Sequence, residues 1–71
     1  MHLTRKDLAW IVRQKRKALR LTQVQLAIRT HVGLRFVRDL EQGKSSLRMD
    51  KVNKVLEYFG MELIPGELDR K

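Results

Sequence analysis

The chain has 71 residues, of which 16 are Lys or Arg and 8 are Asp or Glu, so its formal net charge at pH 7 is +8. This length suits a single small domain and leaves too little chain to enclose a catalytic cavity. Cysteine is absent, so the sequence offers no disulfide and no thiolate metal site. There is no apolar run near the roughly 20 residues that span a bilayer and no signal region, so we expect a cytoplasmic protein without membrane association.

The basic residues are concentrated in one part of the chain. Residues 1–54 contain 14 basic and 4 acidic residues, whereas residues 55–71 contain 2 and 4. This distribution indicates a polyanion partner for the basic part, although some basic small domains are simply well solvated. A small domain without disulfides or metals either packs very well or oligomerises, so we also expect a dimer.

The first predicted helix runs from Arg5 to about Leu19, with Thr4 as its N-cap. Its apolar residues recur at helical spacing, and the strongest core candidates are Leu8, Val12 and Leu19. Trp10 lies off this stripe, where it either flanks the core or contacts another chain.

Arg16 falls within the apolar stripe of the first helix. An unpaired charge at such a position would be costly, so Arg16 needs a partner, and Glu41 is the candidate. In the alternative, the long side chain of Arg16 extends to water.

The second predicted helix runs from about Gln23 to Arg29 and has Thr22 as its N-cap. Gln23 lies beside the free N–H groups of the helix start, which suit a phosphate. Residues 30–32 form the predicted turn. His31 stands there where a positive φ is often needed, and His tolerates that conformation better than most residues other than Gly.

The third predicted helix runs from Leu34 to Gln42, between Gly33 at its N-cap and Gly43 after its end. Val37 and Leu40 point inward with Phe36 near them. The opposite side carries the candidates for contact with the bases of a nucleic acid, which are Leu34, Arg35, Arg38 and Asp39. The two guanidinium groups suit guanine or phosphate. Asp39 could accept from cytosine or pair with Arg35. Further side chains that can donate hydrogen bonds to phosphate follow in the polar loop, at Lys44, Ser45 and Ser46.

A fourth helix is predicted from Met49 to Phe59, and Gly60 ends it. Residues 61–65 alternate weakly and could form a strand that pairs with the same segment of a second protomer. The dimerisation candidates are Met61, Leu63 and Ile64. The alternative is a disordered end, and residues 66–71 are expected to be a flexible tail.

The segment from Leu21 to Lys44 resembles the helix-turn-helix of the XRE, or lambda-repressor-like, family. The matching pattern is Leu21-Thr22-Gln23, Leu26-Ala27 and Val37-x-x-Leu40-Glu41-x-Gly43-Lys44, and the resemblance extends over roughly residues 8–63. It implies an all-α bundle of four to five short helices, forming one DNA-binding domain over residues 1–71.

The same resemblance implies roles for individual residues. Gln23 matches a phosphate-binding Gln, and Arg16 with Glu41 matches a salt bridge between the first and third helices. The positions that match base-facing residues of the family are Leu34, Arg35, Arg38 and Asp39. His31 and Gly33 depart from the usual turn Gly and capping residue.

The fourth helix and the sequence GMELIPGELD after it look most like the compact HipB-type antitoxins. That resemblance implies a homodimer with a small intersubunit sheet, which binds a palindromic operator, represses its own operon and neutralises a HipA-like kinase toxin. Phage-type and restriction-modification controllers share the motif, so a free-standing regulator is one alternative. A protein-interaction module for an acidic partner is another.

We expect no enzymatic activity, cofactor or metal. The sequence has no Cys, no Ser/His/Asp grouping and no Gly-rich phosphate loop. The two His residues are isolated and do not form a metal site.

Overall fold

The computed structural model describes residues 5–63, which form four α-helices. These are α1 (Arg5–Ala18), α2 (Gln23–Thr30), α3 (Leu34–Glu41) and α4 (Met49–Tyr58). Helix α2 packs against both α3 and α4, and α3 also packs against α1. The predicted all-α helix-turn-helix bundle is confirmed. In this part of the chain, no helix has the length and apolar character needed to cross a membrane.

One hydrophobic core collects apolar residues from all four helices. Its buried members are Leu8, Val12, Leu21, Leu26, Ala27, Val32, Val37, Leu40, Val52, Val55 and Leu56. The prediction that Leu19 belongs to the core is wrong, since its side chain is 52% exposed. Helix α1 ends at Ala18, and Arg20 takes a left-handed conformation with φ 57°. The chain therefore turns so that Leu21 enters the core instead.

Helix α2 begins with a capping box. Thr22 Oγ1 accepts a hydrogen bond from the Gln25 N–H at 3.0 Å, and Gln25 Oε1 accepts from the Thr22 N–H at 2.8 Å. Both bonds satisfy N–H groups that a helix start would otherwise leave unpaired. This exchange fixes the direction in which the chain enters the helix-turn-helix.

The turn between α2 and α3 is one residue shorter than predicted. Thr30, which the sequence predicts in the turn, is the last residue of α2 and is buried, with its Oγ1 donating to the Leu26 carbonyl at 2.7 Å. His31 has the expected left-handed backbone, with φ 58°. Gly33 is the N-cap of α3 and makes no side-chain capping bond.

Residues 61–63, after α4, have no regular secondary structure within the protomer, whereas the predicted strand would have its partner in a second protomer. Met61 and Leu63 pack against the protomer's own core, and the Leu63 N–H donates to Asn53 Oδ1 at 3.0 Å. Intramolecular packing therefore takes up two side chains that the sequence suggested for dimerisation. Ile64, the rest of the predicted strand and the tail of residues 66–71 lie outside the described residues.

Candidate nucleic-acid interface

The outward side of α3 brings together the four predicted base contacts. Arg35 and Arg38 are exposed, and Leu34 and Asp39 are half-buried. The opposite side of the helix places Val37 and Leu40 in the core. Neither arginine takes part in an ion pair among residues 5–63, so both guanidinium groups remain available for an external ligand.

Gln42 extends this surface by one further position. It is the exposed C-cap of α3 and follows Arg38 by four residues and Arg35 by seven, so it shares their side of the helix. Gln commonly pairs with adenine in the major groove. Gln42 was not among the residues that the sequence predicted to face DNA, although its spacing from the two arginines was the available signal.

Asp39 pairs with Lys44 rather than with Arg35. Lys44 Nζ lies 3.4 Å from Asp39 Oδ2, and the Lys44 N–H donates to the Asp39 carbonyl at 3.0 Å. Gly43, with φ 75°, turns the chain between them and brings Lys44 back over the end of α3. Ser45 and Ser46, the other loop candidates, are exposed immediately after Lys44.

The predicted ion pair between Arg16 and Glu41 is present and nearly enclosed. Arg16 Nε lies 2.6 Å from Glu41 Oε2, and Arg16 Nη2 donates to Oε1 at 3.0 Å. Arg16 Nη1 also donates to the Leu21 carbonyl at 2.8 Å. The side chains are 13% and 3% exposed, respectively. This pair fixes α3 against α1 and against the chain that enters α2.

Gln23 lies against the same ion pair. Its Nε2 donates to Glu41 Oε1 at 3.2 Å, and one of its two amide hydrogens remains for another acceptor such as a phosphate. Arg13 adds a second link, because its guanidinium donates to the Glu41 carbonyl. Arg13 was not predicted to have this role, although it precedes Arg16 by three residues and so shares its side of α1.

A separate open groove of about 470 Å³ lies between the end of α2 and α4. It is lined by Arg29, Thr30, His31, Lys54, Glu57 and Tyr58. Arg29 Nη1 donates to the Tyr58 hydroxyl at 3.2 Å. Arg29 and Lys54 take part in no ion pair within the described range. No residue of α3 lines this groove, so it is distinct from the surface described above.

Comparison with known proteins shows what this arrangement belongs to. Residues 12–64 match the model of the helix-turn-helix family HTH_3, and this match includes all of α2, the turn and α3. This chain is a member of that family. It is also 44% identical over 64 residues to an uncharacterized HTH-type transcriptional regulator, y4mF, of Sinorhizobium fredii (strain NBRC 101917 / NGR234). That alignment covers 86% of this chain and 84% of the relative.

Membership of this family indicates how the helices lie on DNA. In a helix-turn-helix, the second helix of the motif enters the DNA major groove and the first crosses the backbone. Helix α3 is therefore the recognition helix of this DNA-binding domain, and its exposed side carries Arg35 and Arg38. Gln23 stands at the start of the crossing helix α2.

Proposed function

We propose that this protein is a dimeric, sequence-specific transcriptional repressor that reads an operator with α3. One observation carries the proposal: Arg35 and Arg38 are exposed together on a recognition helix that the enclosed Arg16–Glu41 pair holds in place. A guanidinium group can bind guanine O6 and N7 with two hydrogen bonds. Asp39 and Leu34 complete the base-facing set, in which Asp39 accepts from an amino group and Leu34 makes apolar contact.

Phosphate contacts provide the part of the affinity that does not depend on sequence. The proposed donors are Gln23, Lys44, Ser45 and Ser46, which stand at the start of α2 and after the end of α3. Such contacts fix the position of a protein on the duplex without reading bases. Lys44 is the charged member of this set, and each phosphate that a cationic side chain neutralises lowers log K by about 0.9 per decade of salt.

The role of Arg38 tests the base-reading proposal. An operator is first selected from a pool of randomised duplexes, and binding to it and to random DNA is then measured at one salt concentration. We expect Arg38→Ala to reduce discrimination between the two by roughly 1–3 kcal/mol.

Arg48→Ala is the matched control, because Arg48 is also exposed and lies on the N-terminal side of α4. It removes the same charge and should weaken both complexes alike. Equal losses of affinity for operator and random DNA in Arg38→Ala would make Arg38 a phosphate contact and refute its role in base reading.

A homodimer is part of the proposal because one short recognition helix contacts few base pairs. Two protomers would place their α3 helices about 34 Å apart on a palindromic operator. The small size of the domain supports association, since about 40% of the surface of such a chain remains exposed after folding. A regulator of this kind acts on DNA in the cytoplasm.

We further propose that the repressor is the antitoxin of an operon that also encodes a HipA-like kinase toxin. The support is the resemblance of α4 and the following segment to HipB-type antitoxins. A repressor that also neutralises a toxin needs a surface left free by DNA, and the groove lined by Arg29 and Lys54 contains no residue of α3.

Co-purification with the product of the adjacent gene tests the antitoxin role. We expect a complex that survives gel filtration and lowers the kinase activity of that product. If operator binding persists but no complex forms, the protein is a free-standing regulator of the phage or housekeeping type.

The groove also favours a second candidate, an interaction module that binds an acidic protein without reading DNA. Arg29 and Lys54 form no ion pair with a described residue, and together they outnumber Glu57, the acidic residue that lines the same groove. The operator selection separates the candidates, since an interaction module would enrich no sequence from the randomised pool.

A further inference from the structure

Asp39 is the one acidic side chain on the DNA-facing side of α3. It lies beside Lys44, which we propose contacts a DNA phosphate. Lys44 Nζ is 3.4 Å from its carboxylate, and the backbone bond from the Lys44 N–H to the Asp39 carbonyl holds the loop over the helix end. The side chains of Lys44 and Asp39 are 49% and 25% exposed, so solvent reaches both. The pair is thus formed without DNA and can be opened.

Lys44 cannot bind a phosphate, and Asp39 cannot bind a base, while the two side chains remain paired with each other. If Lys44 moves to a phosphate, Asp39 loses its counter-charge within a strongly negative environment. That arrangement is unfavourable unless the carboxylate gains a hydrogen-bond donor from a base edge. In the major groove, the donors of this type are the amino groups of cytosine N4 and adenine N6.

We propose that Asp39 is a specificity-determining residue that acts by withholding Lys44 from the phosphate backbone. On a sequence that presents a base amino group to Asp39, the carboxylate exchanges its partner and Lys44 is released to a phosphate. On other sequences the pair stays closed, or it opens with an uncompensated carboxylate. Either outcome weakens binding to the wrong DNA. This inference rests on the proposed function of α3 in reading an operator.

Asp39→Asn should therefore tighten binding to random DNA, because it removes the repelling carboxylate and frees Lys44. The dependence of log K on log salt for random DNA should steepen by about 0.9, the value for one further phosphate contact. Operator binding already includes the Lys44 contact, so it gains no further phosphate and loses the carboxylate bond to the base. We expect the operator-to-random affinity ratio to fall by roughly five-fold or more.

Asp50→Asn is the matched control. Asp50 also pairs with a basic neighbour, Arg48 Nη2, at 2.8 Å, but it lies at the start of α4. This variant makes the same change in net charge and also releases a basic side chain. If charge alone were responsible, Asp39→Asn and Asp50→Asn would tighten random-DNA binding equally.

Lys44→Gln provides a second variant with the opposite expected sign. It leaves Asp39 without its counter-charge, so binding to random DNA should weaken instead of tightening. The operator complex loses its Lys44–phosphate contact, so the dependence of log K on log salt for the operator should become shallower by about 0.9. In the Lys44→Gln background, Asp39→Asn should no longer steepen the salt dependence. Both tests use the full chain, with thermal melting to confirm that each variant is folded.

The outcomes separate this inference from the proposed function. A lower affinity ratio in Asp39→Asn, with a steeper salt dependence than in Asp50→Asn, supports it. An unchanged ratio in Asp39→Asn, or equal effects of the two Asp→Asn variants, overturns it while base reading by Arg38 still stands. If wild-type protein shows no preference for any DNA sequence, the proposed function fails and this inference fails with it.

Discussion

Glu41 accepts hydrogen bonds from Arg16 and Gln23, although its side chain is only 3% exposed. A carboxylate so enclosed depends on these donors, and Arg16 depends equally on the carboxylate. Removing one partner of such a pair leaves an uncompensated charge away from water. The pair links α3 to α1 beside the hydrophobic core that the two helices share, so a change at Glu41 affects both stability and the placement of the recognition helix.

We expect Glu41→Gln to lower the free energy of unfolding by about 3–5 kcal/mol, because the amide keeps the shape but leaves Arg16 unpaired. Urea denaturation followed by circular dichroism measures this loss. Asp50→Asn is the comparison. The hydrogen bond from Arg48 lowers the pKa of Asp50, but Asp50 is fully exposed and little stability should be lost. Equal losses of unfolding free energy in the two variants would show that burial does not increase the contribution of the Arg16–Glu41 pair to stability.

His31 holds a left-handed backbone conformation, with φ 58°, at the turn of the motif. That conformation costs an L-residue about 1–2 kcal/mol, and a residue branched at Cβ suffers most. We expect His31→Gly to raise the free energy of unfolding by up to about 1 kcal/mol, the gain being limited by the greater backbone entropy of unfolded Gly. His31→Val should lower it. Urea midpoints of the two variants should therefore move in opposite directions, and a stabilising His31→Val would contradict this account of the turn.

The start of α3 has room for a better cap. Gly33 has an ordinary φ of −70° and makes no capping bond, and a Cβ added there meets nothing within 4 Å. We expect Gly33→Ser to raise the free energy of unfolding by about 0.5–1 kcal/mol, through a hydrogen bond to the helix start and a less flexible unfolded chain. For a domain of this size, the thermal midpoint should rise by a few degrees.

Gly60→Ser is the matched control for that prediction. An added Cβ also meets nothing within 4 Å at Gly60, but its φ is +74°. The same substitution should therefore be destabilising, because an L-residue is strained in this conformation. If both variants shift the thermal midpoint in the same direction, backbone conformation is not what distinguishes the two sites.

The elements that the sequence predicted well are those set by local rules. Apolar spacing, the Thr22 cap and Gly60 placed the four helices to within one or two residues, and the burial of Arg16 in an apolar stripe predicted its bond to Glu41. The burial of Leu19 was predicted wrongly because Arg20 takes a positive φ, which the sequence does not indicate at a residue other than glycine.

The surfaces between elements were harder to predict than the elements. The pairing of Asp39 with Lys44 depends on the backbone turn at Gly43, and helical spacing alone suggested Arg35 instead. The groove between α2 and α4 brings Arg29 to Tyr58, residues 29 positions apart. Such contacts follow from how the helices pack, which residue spacing does not specify.

At the scale of the whole molecule, charge and association act together. A basic domain that binds operator DNA as a pair must associate by a surface other than α3, and the described residues already use Met61 and Leu63 to complete their own core. The intersubunit strand predicted from the sequence for residues 61–65 would therefore depend chiefly on backbone pairing and on Ile64. Dimerisation of this kind would link folding to protein concentration.

We expect the thermal midpoint to rise by roughly 5–10 °C when the protein concentration is raised a hundred-fold, because the dimer is favoured by mass action. Ile64→Lys should abolish this dependence and yield a monomer in sedimentation velocity. Leu68→Lys makes a matched apolar-to-lysine change beyond the proposed strand and should leave both measurements as in the wild type. A midpoint that is independent of concentration in the wild-type protein would exclude the dimer in the absence of DNA. The two protomers would then have to associate on the operator itself, and DNA titrations would show cooperative binding to the two half-sites.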